Sequence, residues 1–120
     1  MKTDGALQSK SKAFAIRTVR LFQFLTEKKK EFVLSKQILR SGTSIGANIA
    51  EAKYAISKKE FVSKLQIALK EASETSFWLE LLNETDYLAH HEFADINADC
   101  EEMIRLLTSS LLTLKKKLST

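Results

Sequence analysis

Hydrophobic side chains along this chain return every three or four residues in four separate stretches, the spacing that gathers them on one face of an α-helix. The first stretch runs from about Ser11 to Lys29, where Phe14, Thr18, Leu21, Phe22 and Leu25 form the face. Lys28, Lys29 and Lys30 close it, cations at a helix end where the macrodipole favours them. The second runs from about Val33 to Ala55. In it Leu34, Ile38, Ile45, Ile49, Ala52 and Ile56 fall in a stripe about 60 degrees wide when each residue turns the helix by about 100 degrees, with Ser41 on the same side.

Ser57-Lys58-Lys59-Glu60 has capping-box spacing, in which the hydroxyl and the carboxylate satisfy free amides at a helix start. Behind it Phe61, Leu65, Ala68, Ala72, Thr75, Leu79 and Leu82 alternate four and three residues apart, a heptad-like seam. Asn83-Glu84-Thr85-Asp86 breaks the pattern, and Tyr87 to His91 crosses to a fourth helix. There Phe93, Ile96, Cys100, Met103, Leu107, Leu111, Leu114 and Leu118 keep the spacing, and Lys115 to Lys117 end it. Four helices with short connections predict an all-α domain, an antiparallel up-down-up-down four-helix bundle over residues 11–120. Residues 1–10 are expected to be a loose tail.

The stretch RSGTSIGANIAEA, Arg40 to Ala52, carries small and polar residues that suggest a loop with chemistry. A phosphate loop needs six-residue glycine spacing followed by Lys and Ser or Thr, whereas Gly42 and Gly46 are four apart and Ala47 follows. The apolar stripe runs through the stretch unbroken. A small-xxx-small face that lets another helix come close fits better, since glycine inside a helix costs about 0.5–1 kcal/mol relative to alanine. Beside the apolar stripe, Gln37, Arg40, Ser44, Asn48 and Glu51 make a polar row of short, hydrogen-bonding side chains. A network between helices or subunits, with Glu51 paired to an arginine such as Arg40 of a neighbour, is its expected use. A nucleic-acid or ligand contact is the alternative.

Composition supports the helical reading. Proline is absent and glycine occurs only at positions 5, 42 and 46. A chain of 120 residues removes roughly 65% of its unfolded surface from water as one domain, so it needs no disulfide, and its single cysteine could form none internally. Nothing approaches the ~18–20 apolar residues of a membrane span, and the opening MKTDGALQSKSK lacks the apolar core of a signal peptide, so a cytoplasmic protein is expected.

Charge is unevenly distributed. Residues 1–70 hold 15 Lys and Arg against 5 acids, net +10, and residues 71–120 hold 4 against 10, net −6. This favours either a surface for RNA or DNA backbones or two surfaces that meet in an oligomer. The nucleic-acid candidates are Lys10, Lys12, Arg17, Arg20, Lys28, Lys29, Lys30, Lys58, Lys59 and Lys64. Ile16, Arg20 and Phe24 form a further row off the main face of the first helix, of a composition common to subunit interfaces and to base-stacking surfaces. Trp78, Phe77, Leu81 and Leu82 make the third helix apolar on more than one face. Catalysis has little to stand on: adjacent His90 and His91 diverge on a helix and lack the i, i+4 spacing of a metal pair, and Cys100 sits in an apolar seam. No cofactor or metal is expected.

The second helix resembles the signature of the bacterial 23S rRNA intervening-sequence proteins, also labelled S23 ribosomal protein, at Gln37, Arg40, Ser44, Ile45, Asn48, Ile49, Ala50 and Glu51. Ser-Lys-Lys-Glu-Phe at the start of the third helix and Tyr87 before the fourth agree with it, and the resemblance spans about Lys12 to Leu118. One departure is Ala52, where the family commonly has glycine; alanine extends the helix. The resemblance implies a four-helix bundle assembling as a ring-like homopentamer. It also implies similarity to accessory proteins of diversity-generating retroelements, basic pentameric bundles that bind nucleic acid and reverse transcriptase. The expectation is a non-enzymatic homo-oligomer that contacts RNA or DNA, or a protein partner, with a purely structural scaffold as the other reading.

Overall fold

The computed structural model describes residues 5–119, with side chains through 117. These form four helices and no strand: α1 (Gly5–Glu27), α2 (Leu34–Ala52), α3 (Lys58–Glu84) and α4 (His90–Ser119). Each packs on its chain neighbours, and α4 returns to α1 through a thinner seam. Contacts pair rising numbers with falling ones: Thr18 lies against Gly42 and Ser11 against Gly46, Ser41 meets Thr75, and Cys100 meets Ala72. Successive helices therefore run in opposite directions, in a body 50 × 22 × 21 Å.

The stripes meet in one core. Leu25, Ile45, Ile49, Leu79, Leu82 and Leu107 have no exposed surface, and Phe14, Ile38, Leu65 and Met103 have almost none. Burying each such side chain stabilises by about 1.5–3 kcal/mol. Two polar contacts sit inside this shell. Ser41 Oγ and Thr75 Oγ1 are 2.8 Å apart, and Thr75 Oγ1 donates to the Glu71 carbonyl at 2.7 Å, so one hydroxyl pair ties α2 to α3 without an unpartnered proton. Cys100 Sγ donates to the Ala72 carbonyl at 3.3 Å, and burial, helped by Glu101, pushes the thiol up to about 12. A thiol so held is an inert core residue.

Helix ends depart from the periodic reading in four places. Residues 5–10 belong to α1 instead of a tail, because Leu7 extends the buried stripe to 2% exposure, one turn before Ser11; residues 1–4 lie outside the described residues. The lysines 28–30 follow α1 instead of forming its last turn, and Lys30 turns the chain with φ 55. α2 stops at Ala52, so Ile56 leaves the stripe and is 92% exposed. At the far end of α3, Asp86 takes φ 66 and donates to the Asn83 carbonyl while Tyr87 donates to Leu82, a Schellman ending with aspartate in the place usually held by glycine. The Ser57 cap forms as the spacing predicts, its hydroxyl accepting from the Glu60 amide at 3.0 Å; the Glu60 carboxylate accepts from Ile56, one residue outward.

The sequence reading missed what starts α2. Glu31, only 8% exposed, reaches forward and accepts from the amides of Val33, Leu34 and Ser35 at 3.2, 3.0 and 2.7 Å. Burial raises its pKa, and the three amide donors outweigh burial, leaving the carboxyl below its ordinary value of 4.5. Stability from a depressed carboxylate is complete above the unfolded pKa and fades as pH falls through the folded one. Glu31→Gln is expected to cost about 1–2 kcal/mol at pH 7, the scale of a lost cap, in urea unfolding followed by circular dichroism. That difference should shrink below about pH 4.

Small residues set the α1–α2 distance. A Cβ on Gly42 would lie 2.6 Å from Thr18 Cγ2 and Oγ1, and one on Gly46 would lie 3.3 Å from the Ser11 carbonyl oxygen. Thr18 is 1% exposed and donates to the Phe14 carbonyl at 2.9 Å, so it cannot swing away. Gly42→Ala is therefore expected to lose about 1–2 kcal/mol, overpacking exceeding the gain in helix propensity. Gly46→Ala should cost less, and Thr18→Ala should recover part of the Gly42→Ala loss in a double-mutant cycle by urea unfolding.

Candidate functional site

Arg40 and its row face α3. The guanidinium bridges two carboxylates, with Nη1 donating to Glu71 Oε2 at 3.2 Å and Nη2 to Glu74 Oε2. Glu74 Oε2 also accepts from Trp78 Nε1 at 2.9 Å, which joins the indole to the ion pair. At the other end of the row Lys64 Nζ donates to Glu51 Oε1 at 3.0 Å. Between them Ser44 donates to the Arg40 carbonyl and Asn48 Nδ2 to the Ser44 carbonyl, at 2.7 and 2.8 Å, both along α2 itself. Gln37 is exposed. Within one chain Glu51 pairs with Lys64, and Arg40 with acids of α3. With Ser41 and Thr75 beneath, the row is the polar edge of the α2–α3 seam.

The ten cations proposed for nucleic acid do not converge. Arg17 Nη2 and Nη1 donate to Asp95 at 2.8 Å and Asp99 at 2.7 Å, and Lys10 Nζ donates to Glu102 at 3.0 Å, so both hold α4 against α1. Partial burial works against the Arg17 charge, but the bonds to Asp99 and Asp95 outweigh it and raise the group's pKa above its ordinary value. Lys64 is tied to Glu51. Arg20 donates to Gln23 at 3.1 Å, and Lys29 Nζ lies 5.8 Å from the centre of the Phe24 ring. Because helices alternate in direction, Lys28–Lys30 stand at the opposite end of the body from Lys58 and Lys59.

A basic end nevertheless forms, and it includes residues the sequence reading left out. Lys12 and Lys53 line the same groove of about 280 Å³, between α1 and α2. The α3–α4 register, Ala72 beside Cys100 and Ser76 beside Asn97, carried to the start of α3, sets Lys58 level with Lys115. Lys53, Lys58, Lys59 and Lys115 are thus at one end, all exposed, while Lys12, level with about Gly46, stands further along the body. Of the acids near them, Glu51 is paired with Lys64 and Glu60 accepts from the Ile56 amide. Tyr54 and Ile56, 79% and 92% exposed, project from the same connection. A charge count could not have found this set, because it depends on antiparallel register.

The row Ile16, Arg20 and Phe24 lines a second groove, of about 700 Å³, where α1 and α4 diverge above the Arg17 bridge. Leu21, Leu88 and Ile96 form its apolar floor, and His91, Glu92 and Asp95 its far wall. His90 lies 6.3 Å from the Phe93 ring and is exposed. Among the described residues no group of three or more His, Cys, Asp or Glu is placed to hold a metal, and no helix is long and apolar enough to cross a membrane.

The model of the 23S rRNA-intervening sequence protein family matches residues 4–109. This chain belongs to that family. A solved structure from Bacteroides thetaiotaomicron VPI-5482, described as a protein with unknown function from the S23 ribosomal protein family, is 54% identical to it. The two share 88% of this chain and 97% of that one, at a TM-score of 0.87. No curated protein matches significantly. Family membership covers all of α1, α2 and α3 and most of α4, so the polar row lies within the shared region, as does the basic end apart from Lys115.

Trp78 is the only tryptophan and reports on the row directly. Arg40→Ala should release Glu74 from its ion pair and move Trp78 emission to longer wavelength. The expected loss of stability is about 0.5–1 kcal/mol, the scale of a half-exposed ion pair. Lys64→Ala, at the other end of the row, should leave the emission unchanged.

Proposed function

We propose that this family member is a non-enzymatic, cytoplasmic up-down-up-down four-helix bundle that assembles with copies of itself, as a ring-like homopentamer, and binds RNA or DNA backbones through its basic end. The observation that carries the reading is the placement of Lys53, Lys58, Lys59 and Lys115 at one end of the body, with the neighbouring Glu51 already paired with Lys64. Lysines in a cluster of this kind neutralise phosphates without reading base edges, which gives binding that is weakly sequence-specific and strongly salt-dependent. The exposed Tyr54 ring beside them supplies a stacking surface for an unpaired base. Arg17, Lys10 and Lys64 serve the fold in this reading and leave the nucleic-acid set.

A second reading, an interaction scaffold without a nucleic-acid role, draws on the exposed apolar side chains of α1 and α3, among them Ile16 and Phe77 at 52% and 56%. Both readings assign the polar row to structure, since Glu51, its one carboxylate, is tied to Lys64.

Fluorescence anisotropy with a structured RNA separates the two. Binding should weaken about a hundredfold between 50 and 200 mM salt, as expected for release of counterions from about four or five phosphates. Lys58→Glu with Lys59→Glu should abolish most of it while helicity stays unchanged. An absence of binding at micromolar protein in low salt would sink the nucleic-acid reading and leave the scaffold.

A further inference from the structure

We infer that the α2–α3 connection, residues 53–57, makes the basic end selective for single-stranded nucleic acid, with an unpaired base stacked on Tyr54 beside Ile56. The inference rests on the nucleic-acid reading above and names the class of strand that would bind. Ile56 and Tyr54, 92% and 79% exposed, are the two most exposed large apolar side chains among the described residues. Between them Ala55 is half-buried and packs on the core, so the connection is pinned inward at its middle and sends its two large side chains outward.

The backbone that carries them is fixed from both sides. Amides of Lys53, Tyr54 and Ala55 donate to the carbonyls of Ala50, Glu51 and Ala52 at 3.3, 3.0 and 3.1 Å, which continues the last turn of α2. From the other side the Glu60 carboxylate accepts from the Ile56 amide at 3.3 Å, and the Ser57 carbonyl accepts from the Phe61 amide at 3.0 Å. A ring on so short and so fully bonded a connection has little backbone freedom left to lose when a base settles on it, which favours binding.

Charge says what kind of molecule covers these side chains. Lys53 directly precedes Tyr54, Lys58 and Lys59 follow Ser57, and Lys115 stands level with Lys58 on α4. Beyond the Lys10–Glu102 pair, the acids of this end among the described residues are Glu51, paired with Lys64, and Glu60. Counting Glu60 in full still leaves the end positive. The partner is therefore an anion that also brings flat apolar surface to the ring, and a nucleotide chain joins the two, phosphates for the lysines and a base for Tyr54.

Strandedness follows from how bases stack. Along a duplex each base face is covered by its neighbours, so the lysines would meet phosphates while Tyr54 and Ile56 had nothing to cover. A site of lysines alone favours the duplex, which carries charge more densely and releases more counterions for each phosphate neutralised. A projecting ring reverses that order, because any unpaired base can stack on it and the stacking adds to the phosphate contacts. The sign of the preference thus reports whether the ring is used.

Fluorescence anisotropy on the full chain in low salt tests this with a labelled oligoadenylate, alone and paired with its complement. The single strand should bind about tenfold more tightly than the duplex, the scale of one stacked base. Tyr54→Ala should remove that advantage and leave duplex binding unchanged, while Tyr54→Phe keeps it. Phosphatidylserine vesicles, which offer phosphates without bases, should not displace the strand. Binding to neither nucleic acid at micromolar protein would overturn the nucleic-acid reading and this inference together. A duplex bound as tightly as the strand, or a Tyr54→Ala chain that binds the strand as the wild type does, would overturn the stacking site and leave the nucleic-acid reading standing. Displacement by vesicles that Ile56→Ser prevents would overturn it in favour of a lipid surface.

Discussion

The close approach of α1 to α2 is the constraint on which the rest of this fold depends. Gly42 has no room for a methyl group against Thr18, and Thr18 is held by its own bond to the Phe14 carbonyl, so the two helices meet backbone to side chain over one fixed turn. That contact orients α2 so that Ile38, Ile45 and Ile49 enter the core and Arg40, Ser44, Asn48 and Glu51 come round to α3. The buried Ser41–Thr75 pair then fixes the height of α3 on α2. The level of every side chain on the far helices follows from two contacts made by neighbouring residues of one helix.

Ion pairs are placed where packing is thin. The α1–α2 side is closed by small residues and carries no ion pair between its helices among the described residues, whereas the α1–α4 seam is bridged by Lys10 to Glu102 and by Arg17 to Asp95 and Asp99. Such bridges on half-exposed side chains are individually weak, and salt weakens them further. They nevertheless remove charge from the surface in matched amounts. Of the cations behind the net +10 of the first seventy residues, Lys10, Arg17 and Arg40 are matched by acids of α3 and α4. What remains outside includes lysines at both ends of the body, Lys28–Lys30 at one and Lys53, Lys58 and Lys59 at the other.

Four helices and most of the core could be read from periodicity, because a buried stripe leaves a three- and four-residue rhythm whatever it packs against. The close packing at Gly42 was legible for a related reason: glycine inside an unbroken apolar stripe needs an explanation, and lack of space is the simplest. Helix ends were not, since they are decided by single interactions. Glu31 caps α2 from outside the helix, a role that leaves no rhythm, and Ile56 matches its stripe in angle although the helix has already ended. The partners of Arg40 and Glu51 were hidden because the antiparallel register, which aligns Glu74 and Lys64 with them, is a property of the folded chain.

Left-handed backbone at Lys30 and Asp86 has a consequence for how this fold can change. All three glycines lie within helices and proline is absent, so the tight reversals after α1 and α3 are made by residues with a Cβ, at φ 55 and 66. A left-handed residue of this kind carries about 1–2 kcal/mol of steric strain that glycine would not. The chain therefore keeps an unused reserve of stability in two positions far from the core, the polar row and the basic end. Substitutions there could compensate for harmful changes elsewhere, leaving the interior free to vary.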